Sequence, residues 1–422
     1  MSDASAIESD AARSAAETDS PVFRAQPLHR LGGGAHQAGA RAYNERLVLS
    51  LIRHNGPLPK AELARLTGLS AQTLSLMMRR LEAEGLVLAQ APLRGRVGQP
   101  SVPFALNPQG ALSFGLKIGR RSTDVVLCDF LGRIIARAKR AYAYPVPADV
   151  LRFVRQETAA LRARQPAKDR VIGIGIAIPF ELWKWAREVQ APPGALDVWQ
   201  KLDIAAEVER RTGLPVYVAN DATAACGAQL AHMDPGARVD LLYAFIGSFV
   251  GGGVVLNGML YEGRTGNAGA LGSMPVHVGG RPAQLIAHAS LITLEKALLK
   301  RGVDVSVLQH PDRDWQPLGK ALTRWIEDAA AALASAIAAG LSVVDFQLVY
   351  IDGAIPRPVL TALVERTRVH LANTDLQGLA PFDVVEGTIG ADARALGAAM
   401  LPLRADFDCD PEVLLKTLGP GR

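Results

Sequence analysis

The chain has 422 residues, 49% hydrophobic and 21% charged, enough for two or three domains around a substantial core and in the balance of a soluble globular protein. Apolar runs such as Val171–Pro179 and Leu241–Ile246 are too short to span a bilayer, and the first forty residues lack the basic start and apolar block of a signal peptide. The expected location is therefore the cytoplasm, with no membrane partner. The net charge is +5, and the segment from Arg41 to Pro100 alone holds nine Lys/Arg against four Glu, so the surplus sits in one module and predicts a polyanion partner for it.

In chain order, residues 1–40 are rich in Ala, Ser and Gly without apolar periodicity, which predicts a disordered tail. "YNERLVLSLIRHNG" then places Leu47, Leu49, Leu51 and Ile52 near one helical face and ends at Gly56. "PKAELARLTGLS" predicts a second short helix, started by Pro59 and stopped by Gly68. Ser70 is placed to cap a third, "AQTLSLMMRRLEAEG", with an apolar stripe of Leu74, Met78, Leu81 and Leu86. The turn "TGLS" between the last two makes a helix-turn-helix. "LVLAQAPLRGRVGQPSVPFALNP" follows as two extended runs around a Gly/Arg/Pro tip, the layout of a wing.

A helix that enters a major groove needs small or polar side chains at its first turns and cations nearby. Gln72, Thr73, Ser75, Leu76, Arg79 and Arg80 all face away from the apolar stripe and are the candidate DNA contacts. Arg94 and Arg96 at the wing tip are placed to reach a minor groove or the backbone. Leu76 departs from the polar pattern and suits either a thymine methyl or a packed neighbour. The competing account is an ordinary three-helix bundle whose Ser and Thr residues only cap and solvate.

From Leu112 the period changes. "LSFGLKIG", "STDVVLCDF" and "GRIIARAKRAYAY" predict three successive strands, then a helix over Ala148–Arg164 and a buried strand over Val171–Pro179. A helix near Ile204–Thr212, the strand "PVYVAN" and a helix from Asp221 come next. Strands fill Leu241–Tyr261, and helices are expected over Ala283–Leu299 and Pro317–Val344. The chain closes as strand, helix, strand, helix through "LVYIDGA", "RPVLTALVERTRVHL", "FDVVEGTIG" and "DARALGAAM". Two sets of antiparallel strands, each followed by helix–strand units, predict a duplicated α/β body with a cleft between lobes.

Taken together and in order, "ELARLTGLSAQTLSLMMRRLEAEGLV", "DFLGRIIA", "VIGIGIAIP", "VANDATAAC", "VGGGVVLNGMLYEGRTGNAGALGSMPV" and "IGADARALGAAML" resemble the ROK family of repressors and sugar kinases, specifically its winged-helix regulators. The resemblance runs from about Ala42 to Leu401. It implies an α/β fold class: an N-terminal winged helix-turn-helix (41–108), then a two-lobed, actin-like ATPase, sugar-kinase-like body of duplicated RNase H-like lobes (109–405) and a C-terminal tail (406–422).

The resemblance also implies a sugar pocket between the lobes. Family kinases open the body with an acidic residue and a Gly-Gly-Thr turn for metal and phosphate. The matching stretch here is "LKIGRRST", with Lys117 at the acidic position and Arg120 and Arg121 after the single glycine. A phosphate turn needs approachable backbone N–H groups and a metal needs an oxygen ligand, so neither ATP nor any other cofactor is expected, although a lysine could touch phosphate directly. Asp221 matches the catalytic base, and equally suits a sugar hydroxyl contact or a helix cap. Where the family has Glu-Ile-Gly-His, this chain has Ala270, Leu271, Gly272 and Ser273, and the zinc-binding cysteine cluster is missing. The three cysteines, Cys128, Cys226 and Cys409, are scattered, so neither zinc nor a disulfide framework is expected. Asn220, Asp221, Asn267, Ser273, Gln284, Gly252 and Gly253 are the candidate sugar contacts, against the alternative that the glycine-rich stretch serves folding only.

The expected function is a transcriptional regulator, a repressor of carbohydrate genes, that binds a double-stranded operator as a homodimer or tetramer and senses a sugar or sugar phosphate. The alternatives are an ATP-dependent sugar kinase with an added DNA-binding head, and an interaction protein whose body has lost its ligands.

Overall fold

A computed structural model describes residues 37–92, 101–233 and 239–408. The predicted N-terminal tail lies outside these residues as far as His36, and the wing tip with Arg94 and Arg96, like Cys409, lies outside them too. The head is built from α1 (Gln37–Asn55), β1 (Leu58–Pro59), α2 (Lys60–Thr67), α3 (Ala71–Ala83), β2 (Val87–Ala89) and β3 (Pro103–Leu106). Helix α1 starts at Gln37, inside the segment expected to be tail. Gly68, in the left-handed region at φ 69°, stops α2 as expected, and its N–H donates to the Ala64 carbonyl. Ser70 caps α3 by accepting from the Thr73 N–H. β3 pairs antiparallel with both β1 and β2, so the stem of the wing is a three-stranded sheet.

The body is a structural duplication. Its first sheet comprises β4 (Leu112–Ile118), β5 (Ser122–Cys128), β6 (Ile134–Ala141), β7 (Val171–Ile178) and β8 (Val216–Asn220), in the order β6-β5-β4-β7-β8. The second comprises β9 (Leu241–Ile246), β10 (Gly251–Leu256), β11 (Met259–Tyr261), β14 (Leu348–Gly353) and β15 (Asp383–Glu386), in the order β11-β10-β9-β14-β15. In both, the first three strands run antiparallel and the last two join the first in parallel. β4 and β9 are buried along their whole length, because helices cover both faces of a central strand, and both accordingly read as near-continuous apolar runs. β6 lies at an edge and carries Arg137, Lys139 and Arg140, charges that discourage further strand pairing.

Helices α4 (Pro147–Ala163), α5 (Val198–Lys201), α6 (Ile204–Thr212) and α7 (Asp221–Ala231) accompany the first sheet in sequence. Helices α8 (Ile286–Ala289), α9 (Leu291–Leu299), α10 (Lys320–Leu341) and α11 (Arg357–Ala372) accompany the second, and α12 (Ala393–Phe407) closes the described chain. The continuous helix expected over Ala283–Leu299 is not formed. Its start belongs to a hairpin of β12 (Pro275–Val278) and β13 (Arg281–Gln284), turned by Gly279 and Gly280 at φ 59° and 75°. The helix expected over Pro317–Val344 begins only at Lys320, after a short 3-10 turn and Gly319. Helix α12 extends past residue 405, into the segment expected to be a tail.

Helix α12 lies unusually close to the first sheet. A Cβ on Gly175 of β7 would fall 1.7 Å from the Ala398 carbonyl oxygen, and one on Gly397 would fall 1.8 Å from that of Ala224 on α7. The small residues of "ARALGAAM" are what allow this backbone-to-backbone packing. At its other end α12 reaches the head: Leu403 belongs to the same buried cluster as Leu51, Leu63 and Met78. Phe407 meets Phe130 edge-on, with centroids 4.7 Å apart. Arg53 of α1 donates to the Phe130 carbonyl at 3.0 Å and lies 3.6 Å from Asp408. Arg170 of the body donates to the carbonyls of Glu84 and Gly110 at 2.9 and 3.1 Å. Head and body therefore share one core.

Candidate nucleic-acid interface and ligand cleft

The α3 stripe of Leu74, Met77, Met78 and Leu81 is buried against the rest of the head, which turns the opposite face outward. Gln72, Thr73, Leu76 and Arg79 are exposed there, while Ser75 and Arg80 are half-buried. Leu76 keeps 63% of its surface in solvent, so it is not packed into the core of the head among the described residues. The two arginines differ. Arg79 pairs with no carboxylate among the described residues and only approaches the Ser75 carbonyl at 3.4 Å. Arg80 lies 2.7 Å from Glu84 and 3.1 Å from Glu45 of α1, so it braces two helices and is partly neutralised. Thr73 is likewise engaged with the Ser70 hydroxyl at 2.9 Å.

Two adjoining cavities occupy the body between the sheets. The smaller, about 240 Å³, is walled by Asn220, Asp221, Gly252, Asn267 and Ser273 together with aromatic Trp185 and Phe249. Five of the seven predicted sugar contacts therefore converge. Gln284 does not, because it sits on β13 opposite Pro275. Gly253 is turned the other way: a Cβ there would meet Cys226 of α7 at 2.4 Å. Gly252 lines the cavity, but its missing Cβ would strike Leu271 and the Gly269 carbonyl, at 2.6 and 2.7 Å. These glycines are thus needed for close packing beneath the pocket, whatever binds above them. Asn220 closes β8 and caps α7, its Oδ1 accepting from the N–H groups of Ala222 and Thr223 at 2.9 and 3.3 Å. The cap expected as one role of Asp221 thus belongs to its neighbour, and the Asp221 carboxylate instead lines the cleft, where it accepts from Arg394 at 3.4 Å.

The larger cavity, about 860 Å³, lies on the other side of Asp221 and is walled by Lys117, Arg120, Arg121, Lys139, Arg394 and the 305–312 loop, among others. Lys117 points along β4 into the β4–β5 turn, with Nζ 2.7 Å from the Ser122 hydroxyl and 2.8 Å from Asp124. Burial pushes its amine down to about 8 despite the Asp124 charge. Burial alone would raise the Asp124 carboxyl, but the Lys117 charge and hydrogen bond hold it below its ordinary value. The turn closes on itself through a 2.9 Å bond from the Gly119 N–H to the Ser122 carbonyl.

Arg120 and Arg394 stand where the two cavities meet, and both line each of them with Asp221 and Phe249. The Arg120 guanidinium lies over Phe249 and Trp185, 4.3 and 4.9 Å from their centroids. Arg394, on the first turn of α12, lies over Phe245 at 4.7 Å and 3.4 Å from Asp221. Sequence reading noted Arg120 only as a misfit in a phosphate turn and passed over Arg394. Both come from segments far apart in the chain, and no local pattern marks them. Among the described residues no three His, Cys, Asp or Glu side chains converge as a metal site would require. Among the described residues no helix is long and apolar enough to cross a membrane.

Residues 113–405 match the model of the ROK family, and residues 41–87 match a winged helix-turn-helix DNA-binding model. A xylose repressor of Bacillus subtilis is 26% identical over 271 residues, which cover 63% of this chain and 69% of the repressor. Among solved structures, a ROK family transcriptional regulator described as a homologue of the Escherichia coli MLC protein superposes with TM-score 0.64 at 20% identity, over 90% of this chain and 99% of that one. A ROK family glucokinase from Streptomyces griseus, solved with glucose and AMPPNP, superposes with TM-score 0.53 at 21% identity, over 69% of this chain and 99% of the kinase.

Proposed function

The chain belongs to the ROK family, and from that premise we propose a DNA-binding transcriptional repressor of carbohydrate genes whose body senses a saccharide and carries out no phosphotransfer. The observation that carries this reading is the β4–β5 turn. A metal-bound nucleotide needs an oxygen ligand and open backbone N–H groups there. The chain supplies the Lys117 amine, tied to Asp124 and Ser122, and a turn hydrogen-bonded to itself. The residues present do not fit such a group. The smaller cavity keeps hydroxyl partners in Asp221, Asn267 and Ser273 and an aromatic wall against which a sugar ring can pack.

In this reading the head, 41–108, reads the operator through Gln72, Thr73, Ser75, Leu76 and Arg79, with Arg94 and Arg96 on the wing and Arg80 bracing the helix. One head covers one half-site, so a homodimer, alone or paired into a tetramer, binds a near-palindromic operator. Helix α12 supplies a route from cleft to head: its first turn carries Arg394 against Asp221 and its last residue packs on Phe130. A ligand that binds one lobe arrangement better than another shifts this rod, about 22 Å long, and the head with it.

The test is recovery of genomic DNA bound to the full-length chain, followed by titration of the recovered operator with saccharides and an ADP-release assay across hexoses and pentoses. The expected result is specific DNA, release by one saccharide and no ADP. Failure to bind any duplex at low salt, or turnover of ATP on a sugar, sinks the reading.

A further inference from the structure

Two neighbours in the chain, Phe249 and Val250, belong to different cores. Val250 is part of the second lobe's buried cluster with Leu271, Leu294 and Trp325, whereas Phe249 is part of the first lobe's, with Phe114, Ile176 and Trp199. Ile292 of α9 crosses over with Phe249. The base of this hairpin tip is fixed to its own lobe. The Val250 N–H donates to the Ser290 hydroxyl at 3.0 Å, and the N–H groups of Leu291 and Ile292 donate to the carbonyls of Gly247 and Ser248 at 3.0 and 3.2 Å. Ser290 is itself buried, and its carbonyl accepts from the Trp325 indole at 3.2 Å. Phe249 is therefore a peg, anchored in the second lobe and seated in the first.

The socket is aromatic and cationic. Arg120 lies over Phe249 and Trp185, and the two rings meet at 51° with centroids 5.0 Å apart. The Arg120 Nε is out of solvent contact with no hydrogen-bond partner, so ring faces rather than a hydrogen bond hold the guanidinium at that atom. Trp185 lies on a segment, 181–190, that begins and ends on non-glycine residues in the left-handed region, Glu181 at φ 48° and Gln190 at φ 58°. Such conformations cost free energy and persist only where the surroundings impose them. Glu188, in the same segment, has its Oε2 buried without a hydrogen-bond partner. A segment held in this way relaxes when what holds it leaves.

We propose that Phe249, clasped by Arg120 and Trp185, is a built-in lock that sets the angle between the lobes without a bound nucleotide, and that segment 181–190 is the catch that opens it. The two hairpin tips lack the groups to share a metal-bound nucleotide and grip each other instead. Trp185 also walls the smaller cavity, so a saccharide seated there bears directly on the catch; that link alone rests on the sensing reading above.

Hydrogen exchange of the ligand-free full chain, read by mass spectrometry, tests the lock in Phe249→Gly, Trp185→Leu and Arg120→Met. Protection of residues 181–190 and 286–292 is expected to fall about tenfold or more in each variant, while the central strands β4 and β9 keep theirs, because the lobes part without unfolding. Arg120→Met leaves the Phe249 ring and both cores in place, so it carries the test should Phe249→Gly fail to fold, and circular dichroism shows which variants do. Unchanged protection of 181–190 and 286–292 in Arg120→Met overturns the proposal. So does a loss shared equally by β4 and β9, which would make Phe249 a core residue and no lock. The measurement needs neither DNA nor saccharide, so its failure leaves the regulator reading standing, and failure of that reading leaves the lock untouched.

Discussion

The two lobes share one strand order and differ at the turn of their first hairpin. In the first lobe the turn is Gly119-Arg120-Arg121, anchored from below by Lys117. In the second it is Gly247-Ser248-Phe249-Val250, which leads into the three glycines of β10. Arg120 of one turn lies over Phe249 of the other. A common topology brings two hairpin tips to one cleft, and the residues on the tips decide what the cleft can hold. Here one tip supplies charge and the other an aromatic face, where nucleotide chemistry would require glycine-lined backbone on the first.

That contrast can be broken in graded steps. The largest effect is expected from Gly175→Ala, which drives a methyl group into the Ala398 carbonyl. Its cost should be about 4 kcal/mol or more, against about 2 for Val349→Ala on the matching strand of the second lobe, where packing is by ordinary side chains. Urea unfolding of both variants measures the gap, and equal losses would show that α12 is not the tighter seam.

Lys117→Met comes next. It strands Asp124 and should cost about 2 kcal/mol, less than a fully buried pair because the carboxylate keeps some solvent contact, with much of the loss restored by adding Asp124→Asn. The same lysine gives a pH signature. Because folding lowers its value from 10.5 to about 8, the unfolded chain holds the extra proton between those values, and stability contributed by this group rises with pH across that window. Lys117→Met should flatten the rise in a series of melts from pH 7.5 to 10.

Arg394→Ala removes the contact between cleft and α12. Operator affinity should stay within about threefold of the parent while release by the effector weakens about tenfold or more, a coupling loss of ordinary size. Fluorescence anisotropy with and without effector checks both, and undiminished release would remove α12 from the route. The smallest effect concerns the head. Arg79→Ala should lower the slope of log affinity against log salt by about one, and Arg80→Ala by clearly less because Glu84 and Glu45 already screen it. Equal slopes for the two would cancel the distinction.

Much of this was legible in the chain. Gly68 and Ser70 announced the limits of the head helices, and the buried faces of α1 and α3 followed from the spacing of Leu47, Leu51, Leu74 and Met78. The double set of strands in the body was visible as period changes from Leu112 and again from Leu241. The β12–β13 hairpin was missed because Gly279-Gly280 sits in a weakly patterned stretch, where four-residue strands give no periodicity to detect. Within the cleft, Asn220 and Asp221 were found together, but which of them caps the helix depends on backbone direction at the end of β8.

By itself the sequence determined the helix-turn-helix, the strand repeat, the loss of an acidic residue at Lys117 and the basic surplus of the head. Each of these depends on neighbours within a turn or two or on simple counts, except the loss at Lys117, which is visible only through the resemblance to the family's kinases. Only the tertiary structure decided that Arg120 and Arg394 meet beside Asp221, that Gly253 serves packing, that Arg80 is already paired, and that one helix joins the cleft to the head. Those facts rest on contacts between residues up to hundreds of positions apart, and such contacts are set by how whole sheets and helices stack, which no local pattern records.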